Sequence, residues 1–523
     1  MPEGWPDPTR YGRTGAVCTV DHLASAAGLD VLRAGGSAAD AAVAANAVLA
    51  VTTQQSCGMG GDLVALVHTP HASARALLAV GRAGSGSDAE QLRAEAHLRM
   101  PLRGDVRSVT VPGCVDGWLA LHEAYGRLPL VRVLSAAVAY AQDGFPVSPL
   151  LAAALPGVAR VAGGEELIGD TLPVPGEVRR RPSLGRALQE ISHNGRSAWY
   201  QGDFGRGLIR VGGGLFTAED LAAPIAEWDT PAALDVDGCR VLSTPAPTQG
   251  YLVVGGAWVA RQVGALGTQD DPHLLVEAAR VTGHDRPALL ADGVPSDVLL
   301  DGLAQRAARI TSGTALEQSV PVRGGGTVYL CAADADGMVV SLSQSNAAGF
   351  GAHLAVGEVG VFLHNRGLGF SLEPGHPAEL RPGARPPHTL CPALLVEGEQ
   401  VTAVGTMGGD AQPQVVLQLI AALAAGRTPA QALEQPRWSL VGPRQNGFDA
   451  WDPWDDGAVA PTISLEATAP SGWDEALRAR GHRVERAAAG RGFGHAHVLV
   501  RRPDGTLAAA SDPRAGTGDA QAY

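Results

Sequence analysis

Val322-Arg323-Gly324-Gly325-Gly326-Thr327-Val328-Tyr329-Leu330 runs three glycines straight into a threonine that opens a β-branched, aromatic stretch. The alternation continues to Asp336-Gly337 and resumes in a second run ending Ser343-Gln344-Ser345, which predicts an antiparallel hairpin over 328–345. In such a hairpin the second strand returns towards the start of the first, so Ser343 and Ser345 come back near Thr327. Two more strand–turn–strand units follow, "ALLVEGEQVTAVGT" at 393–406 and "AHVLVRRPDGTLAAAS" at 496–511. Three hairpins with helices between them imply antiparallel sheet covered by helices, an α/β fold of the α+β kind rather than a doubly wound parallel sheet.

Upstream the texture is helical. Leu23, Ala26, Ala27 and Val31 share one face of a helix that stops at Gly35-Gly36, and Ser37 offers an N-cap for the alanine-rich "AADAAVAANAVLAV". A glycine turn, "CGMGGD", leads into a strand around Leu63–His68. Regions 115–150, 180–200, 215–225, 412–425 and 471–480 read as helical, while 150–180 and 440–465 are rich in glycine and proline and read as loops. The break between the two textures falls at "RGGGT".

Composition sets the outer limits. The 523 residues are 45% hydrophobic and 18% charged, enough for a large core. Acids outnumber bases 53 to 40, and every fixed side-chain cation is arginine. No basic stripe is present to neutralise phosphates, so no nucleic-acid partner is expected, and a phosphate loop of the Walker type lacks its lysine. No apolar run approaches the roughly 18–20 residues of a membrane helix, and the first residues carry no basic or apolar leader, so the cytoplasm is the expected location and no membrane partner is expected. Six scattered cysteines read as small buried hydrophobes.

The threonine admits two readings. A glycine linker beside an ordinary strand threonine is one. The other is chemical: Thr327 Oγ attacks the Gly326 carbonyl, the resulting ester is hydrolysed, and Thr327 becomes an N-terminus whose α-amine, with a pKa of about 7.7–8.0, serves as its own base. Glycines 324–326 leave that carbonyl unshielded. Downstream, "VTAVGTMGGDAQPQ" ends a strand at Thr406, turns at Gly408-Gly409 and starts a helix with Pro413 in its first turn. The N–H groups of such a turn suit an oxyanion hole, though a plain strand-to-helix turn needs the same glycines.

Taken together, "RAGGSAADAAVAANAVLAV", "CGMGGDLVALV", "VTVPGCVDGW", "AAVAYAQDGFPVS", "GGGTVYLCAADADGMVVSLSQS", "GEVGVFLHNRGLGFS", "PPHTLCPALLV", "GTMGGDAQPQ" and "ASDPRAGTGDAQAY" resemble, in order and over nearly the whole chain, the γ-glutamyltransferase (glutathione hydrolase) family of N-terminal-nucleophile hydrolases. The resemblance implies an αββα sandwich and self-cleavage at Gly326–Thr327. The products would be a large subunit, 1–326, and a small one, 327–523, that stay associated as one unit. It implies Thr327 as nucleophile, Ser345 as supporting hydroxyl, Gly408 and Gly409 as oxyanion donors, and Arg82 as the grip on a substrate carboxylate. No cofactor and no metal are expected, and the expected partner is a small-molecule amide.

Departures shift the expected substrate. The small subunit begins Thr327-Val328 rather than Thr-Thr. Ala347, Arg366 and Gly369 stand where the family places Asn, Gln and Asp to recognise an α-amine, and His388-Thr389 replace paired serines. The lid segment is short. "GMGGD", "NRGLGFSLEPGHP" and "GTMGGDAQPQ" resemble the acylase and oxamate amidohydrolase branch. An ammonium would be repelled by Arg366, so the expected donor is an amide whose acyl part carries a carboxylate but no α-amine, held by Arg82 and Arg366 with His388 and Thr389. The alternatives are a true γ-glutamyl enzyme and an uncleaved scaffold without activity. His495 and His497 on one strand face lack a third metal ligand, and Trp451 and Trp454 read as loop anchors.

Overall fold

The computed structural model describes residues 7–267, 271–317, 325–441, 462–487 and 492–523. Fourteen strands make its two large sheets: β1 (Arg10–Gly12), β2 (Gly15–Thr19), β3 (Asp62–Thr69), β4 (Ala72–Ala79), β5 (Ala226–Asp229), β6 (Ala232–Val236), β7 (Cys239–Ser243), β8 (Gly326–Asp334), β9 (Val339–Ala347), β10 (Ala393–Glu397), β11 (Gln400–Thr406), β12 (Ala496–Arg501), β13 (Leu507–Ser511) and β14 (Asp519–Ala522). One sheet runs β1-β13-β12-β11-β10-β7-β6 and the other β14-β2-β8-β9-β3-β4-β5. Every pairing within them is antiparallel.

Period-two alternation decides what each strand face meets. Tyr329, Cys331 and Ala333 of β8 point between the sheets, with Leu394, Ala403, Leu499 and Ala509 across from them. Val328, Leu330 and Ala332 face the other way, onto the helices His22–Arg33 and Ala38–Thr52. The outer face of the sheet β1-β13-β12-β11-β10-β7-β6 is covered by Gly250–Gln262 and Gln412–Ala424. The result is the αββα sandwich, helices outside and two antiparallel sheets inside. The alanine-rich helix is buried on every side, and Ser37 caps it in a reciprocal box with Asp40.

The three expected hairpins are present as β8–β9, β10–β11 and β12–β13. The textural break at "RGGGT" is not a structural boundary: β1, β6 and β7 share a sheet with β10–β13, and β2–β5 share the other with β8, β9 and β14. Residues 150–180 are not wholly loop, since Pro149–Ala154 and Glu165–Ile168 are short helices. The stretch expected as loop at 440–465 ends in strand on both sides, at Trp438–Val441 and Thr462–Glu466; its middle, with Trp451 and Trp454, lies outside the described residues. All six cysteines are free, and five are buried. Among the described residues no helix is long and apolar enough to cross a membrane.

Candidate active site

Thr327 stands at the start of β8, at the mouth between the sheets and only 3% exposed. A bulge separates the Gly326↔Ala347 and Val328↔Gln344 pairs, and Thr327 lies within it. Such a bulge re-aims a side chain at the end of a ladder. Opposite it, Ala347 holds φ +71, a left-handed conformation that costs a non-glycine residue about 1 kcal/mol or more. The strand therefore bends at the residue sequence reasoning singled out.

One hydroxyl organises the cluster. Ser345 Oγ donates to the Gly326 carbonyl oxygen at 2.6 Å and accepts from Thr327 Oγ1 at 3.2 Å. It also accepts from Ala347 N–H at 2.8 Å and from Arg366 Nη2 at 3.0 Å. The carbonyl of the bond expected to break is thus already bound by a donor that leans on a guanidinium. Ser343, also expected near Thr327, pairs with Tyr329 instead, one step further down the ladder.

Arg366 begins a short 3-10 turn, Arg366–Gly369, and is 2% exposed. Its other nitrogen, Nη1, donates to Thr389 Oγ1 at 3.0 Å. Among the described residues no carboxylate lies within ion-pairing distance of it, and its Nε has no partner. Burial pushes the guanidinium down to about 10, so it remains a cation at neutral pH. Asp62 and Asp410 offset its charge without touching it, so the guanidinium can still bind an arriving anion directly. Arg366, Gly369, Thr389, Arg286, Leu290 and Pro387 line a cavity of about 30 Å³ beside it.

Gly408 and Gly409 follow β11 with φ values of +132 and +58, which suit glycine rather than an L-residue. Neither N–H is spent on an acceptor among the described residues. The helix Gln412–Ala424 follows directly, and Gln412 Nε2 reaches Thr327 Oγ1 at 3.5 Å. Gln249 Nε2 donates to Gly409 O at 2.9 Å and Thr389 O at 2.6 Å, tying the turn to the arginine pocket. Arg286 Nη1 meets Asp410 Oδ1 at 2.7 Å, a buried ion pair beside the turn. Sequence reasoning missed Gln249, Arg286, Asp410 and Gln412; the first two come from segments distant in sequence, and only the fold brings them here.

The remaining expected residues lie elsewhere. Arg82 donates to Glu227 at 2.7 Å and to the Gly383 carbonyl at 3.1 Å, and sits 3.6 Å from Asp292. Arg385 bridges the same two acids, so Arg82 belongs to a separate, partly exposed charge cluster with no hydrogen bond to the Thr327 group among the described residues. His388 is fully buried, with its Nε2 3.4 Å from Asp62 Oδ2, so its imidazole faces away from the cavity that Thr389 lines. Asp62 pairs across from Ser345, and its Oδ1 accepts from Gly81 and Gly113 N–H groups. Burial would raise the Asp62 carboxyl, but His364, His388 and Arg366 hold it below its usual range. Burial, then Arg366, pushes His388 down to about 3, and His364 is lowered as well. With both imidazoles neutral, Arg366 is the cation that balances Asp62.

The "GMGGD" turn packs under this group. A Cβ on Gly61 would lie 2.4 Å from Ser345 O, and one on Gly60 2.1 Å from Phe362 O, so the backbone can approach only without side chains. His497 stacks on Tyr329 between the sheets rather than joining His495 as a metal site.

A family model described as gamma-glutamyltranspeptidase matches residues 24–522. An oxamate amidohydrolase proenzyme of Klebsiella pneumoniae is 32% identical over 518 residues, covering 94% of this chain and 96% of that protein. A glutathione hydrolase-like proenzyme of Bacillus subtilis is 35% identical over 449 residues, 81% of this chain and 84% of the relative. Among solved structures, cephalosporin acylase from Bacillus halodurans superposes with a TM-score of 0.87 at 31% identity, covering 100% of this chain and 99% of that one.

Proposed function

The chain belongs to the gamma-glutamyltranspeptidase family, and on that premise we propose that it cleaves itself at Gly326–Thr327 and then hydrolyses an amide whose acyl part carries a carboxylate but no α-amine. It is an enzyme of the N-terminal-nucleophile type, on the acylase and amidohydrolase side of that family. The observation that carries the proposal is the Ser345 hydroxyl, bound at once to the Gly326 carbonyl, Thr327 Oγ1 and Arg366.

In processing, Thr327 Oγ adds to the Gly326 carbonyl carbon while Ser345 stabilises the developing oxyanion. The C–N bond breaks as the hydroxyl proton passes to the Thr327 nitrogen, leaving an ester. Water cleaves the ester, giving a Gly326 carboxylate and a free Thr327 amine and hydroxyl. In turnover the amine takes the hydroxyl proton, Thr327 Oγ attacks the substrate amide, and Gly408 and Gly409 N–H groups receive the oxyanion. The proton then goes to the leaving amine, and water hydrolyses the acyl ester.

Arg366 supports the choice of donor. Asp62 and Asp410 act on its buried charge only from beyond contact distance, and it would repel an ammonium brought against it. The name of one relative, oxamate amidohydrolase, agrees with such a donor. Arg82 is assigned no more than an outer role, attracting the anion before Arg366 binds it.

The test compares p-nitroaniline release from glutaryl and γ-glutamyl anilides, with ammonia release from oxamate alongside. The carboxylate-only donors should turn over faster, and Thr327→Ala should abolish all of it. Preference for the γ-glutamyl donor would reverse the role given to Arg366.

A further inference from the structure

We propose that His273, Glu277 and His482 form a binding site for one divalent late transition ion, Zn²⁺ by donor preference, which fastens the first part of the chain to the last. His273 and Glu277 are one helical turn apart on the helix His273–Gly283, and His482 lies just before the strand Val484–Ala487. Their candidate ligand atoms all lie within 4.8 Å of one another, and all three side chains are buried. His273 Nδ1 is 2.8 Å from His482 Nε2, and that nitrogen is 3.8 Å from Glu277 Oε1. Three ligands at about 2.0–2.1 Å from a tetrahedral Zn²⁺ would stand about 3.3 Å apart, so side-chain shifts of well under 1 Å would accommodate the ion.

Two further features point to a ligand. Glu277 Oε1 is fully buried and has no hydrogen-bond partner, although it faces the imidazoles, while Oε2 accepts from Leu316 N–H at 2.9 Å. His273 Nε2 is 2.8 Å from the Thr311 carbonyl, which fixes its proton there and leaves the Nδ1 lone pair aimed into the cluster. The 2.8 Å contact between the imidazoles makes His482 Nε2 the donor to that lone pair, so the ion would take this proton's place, His482 moving its proton to the unpartnered Nδ1. Arg280 lies 3.7 Å from Glu277 Oε1 and opposes a second positive charge. It also donates to the Leu316 carbonyl and, with Arg480, acts on both imidazoles, so the ion must outweigh two nearby guanidiniums.

Two ligands precede the Gly326–Thr327 bond and one follows it, so the ion would bridge the two parts. Binding needs no processing, and a chain made uncleavable by Thr327→Ala should bind equally well. This separates the metal site from the proposed activity.

The experiment strips the full-length protein with a chelator, then titrates it with Zn²⁺ by calorimetry and with Co²⁺ by visible absorption. One ion per chain is expected, with a tetrahedral Co²⁺ spectrum, and at least a tenfold loss of affinity in both Glu277→Gln and His482→Ala. Should either variant fold poorly, proton NMR of the Co²⁺-loaded unaltered protein reads the same site: the ring signals of two histidines should be shifted paramagnetically at one Co²⁺ per chain. No stoichiometric binding, binding unchanged in the folded variants, or bound Co²⁺ that shifts no histidine ring would each overturn the proposal.

Discussion

At Ser345 one oxygen with two lone pairs is offered three donors while its own proton is given to Gly326. The longest of these contacts, 3.2 Å from Thr327 Oγ1, is the one that would yield in the proposed attack on Gly326. Ser345→Ala removes the donor on the scissile carbonyl and leaves Arg366 without a relay to it. Self-cleavage followed on denaturing gels should slow by about 10²–10³-fold, the usual cost of losing one oxyanion donor. An unchanged rate would place the polarising group elsewhere. Arg366→Gln keeps a donor towards Thr389 but removes the charge. With carboxylate-bearing donors KM should rise at least tenfold with a smaller change in kcat, measured by initial rates on the processed enzyme.

At the scale of elements, two turns of glycine carry the site. The turn at Gly60-Gly61 passes so close under β9 that Gly61→Ala must push Ser345 out of line. The fraction of purified chain that is cleaved should fall sharply, and normal cleavage would show that the approach is not needed. The turn at Gly408-Gly409 is braced by the buried Arg286–Asp410 pair. Asp410→Asn leaves a buried guanidinium without its anion, which costs about 3–5 kcal/mol, read as a lower urea midpoint.

These turns were legible in the sequence because glycine leaves a local signature, as were the hairpins and the capped alanine helix. The pairing of β3 with β9 and of β2 with β8 was not, since nothing local records which strands meet. Gln249, Arg286 and Asp410 escaped for the same reason: each matters through a partner distant in sequence. His388 read from the sequence as a substrate contact, but the direction of its imidazole follows from Asp62, set opposite Ser345 by strand register.

The whole molecule explains how two products could stay together. Each sheet takes strands from both sides of residue 326, so separation would expose the apolar layer between the sheets and split both ladders. The cleaved protein should elute as one complex of about the precursor's size and resist high salt, because the shared surface is apolar. Acid should weaken it. Burial pushes His497 and His388 down to about 3 in the folded chain, against an ordinary value of 6.5. Between those values the unfolded chain binds more protons, so stability is full above about pH 6.5 and is lost as pH falls towards 3. The urea midpoint should drop from pH 7 to pH 4.5, and His497→Phe, which keeps the stack on Tyr329, should flatten that slope.

Whether Thr327 frees its own nitrogen and then works with it is read by intact-mass spectrometry and N-terminal sequencing of catalytically active protein. Two polypeptides are expected, one beginning at Thr327, with a single unbroken and inactive chain for Thr327→Ala. Turnover by material whose backbone is continuous across Gly326–Thr327 would contradict it.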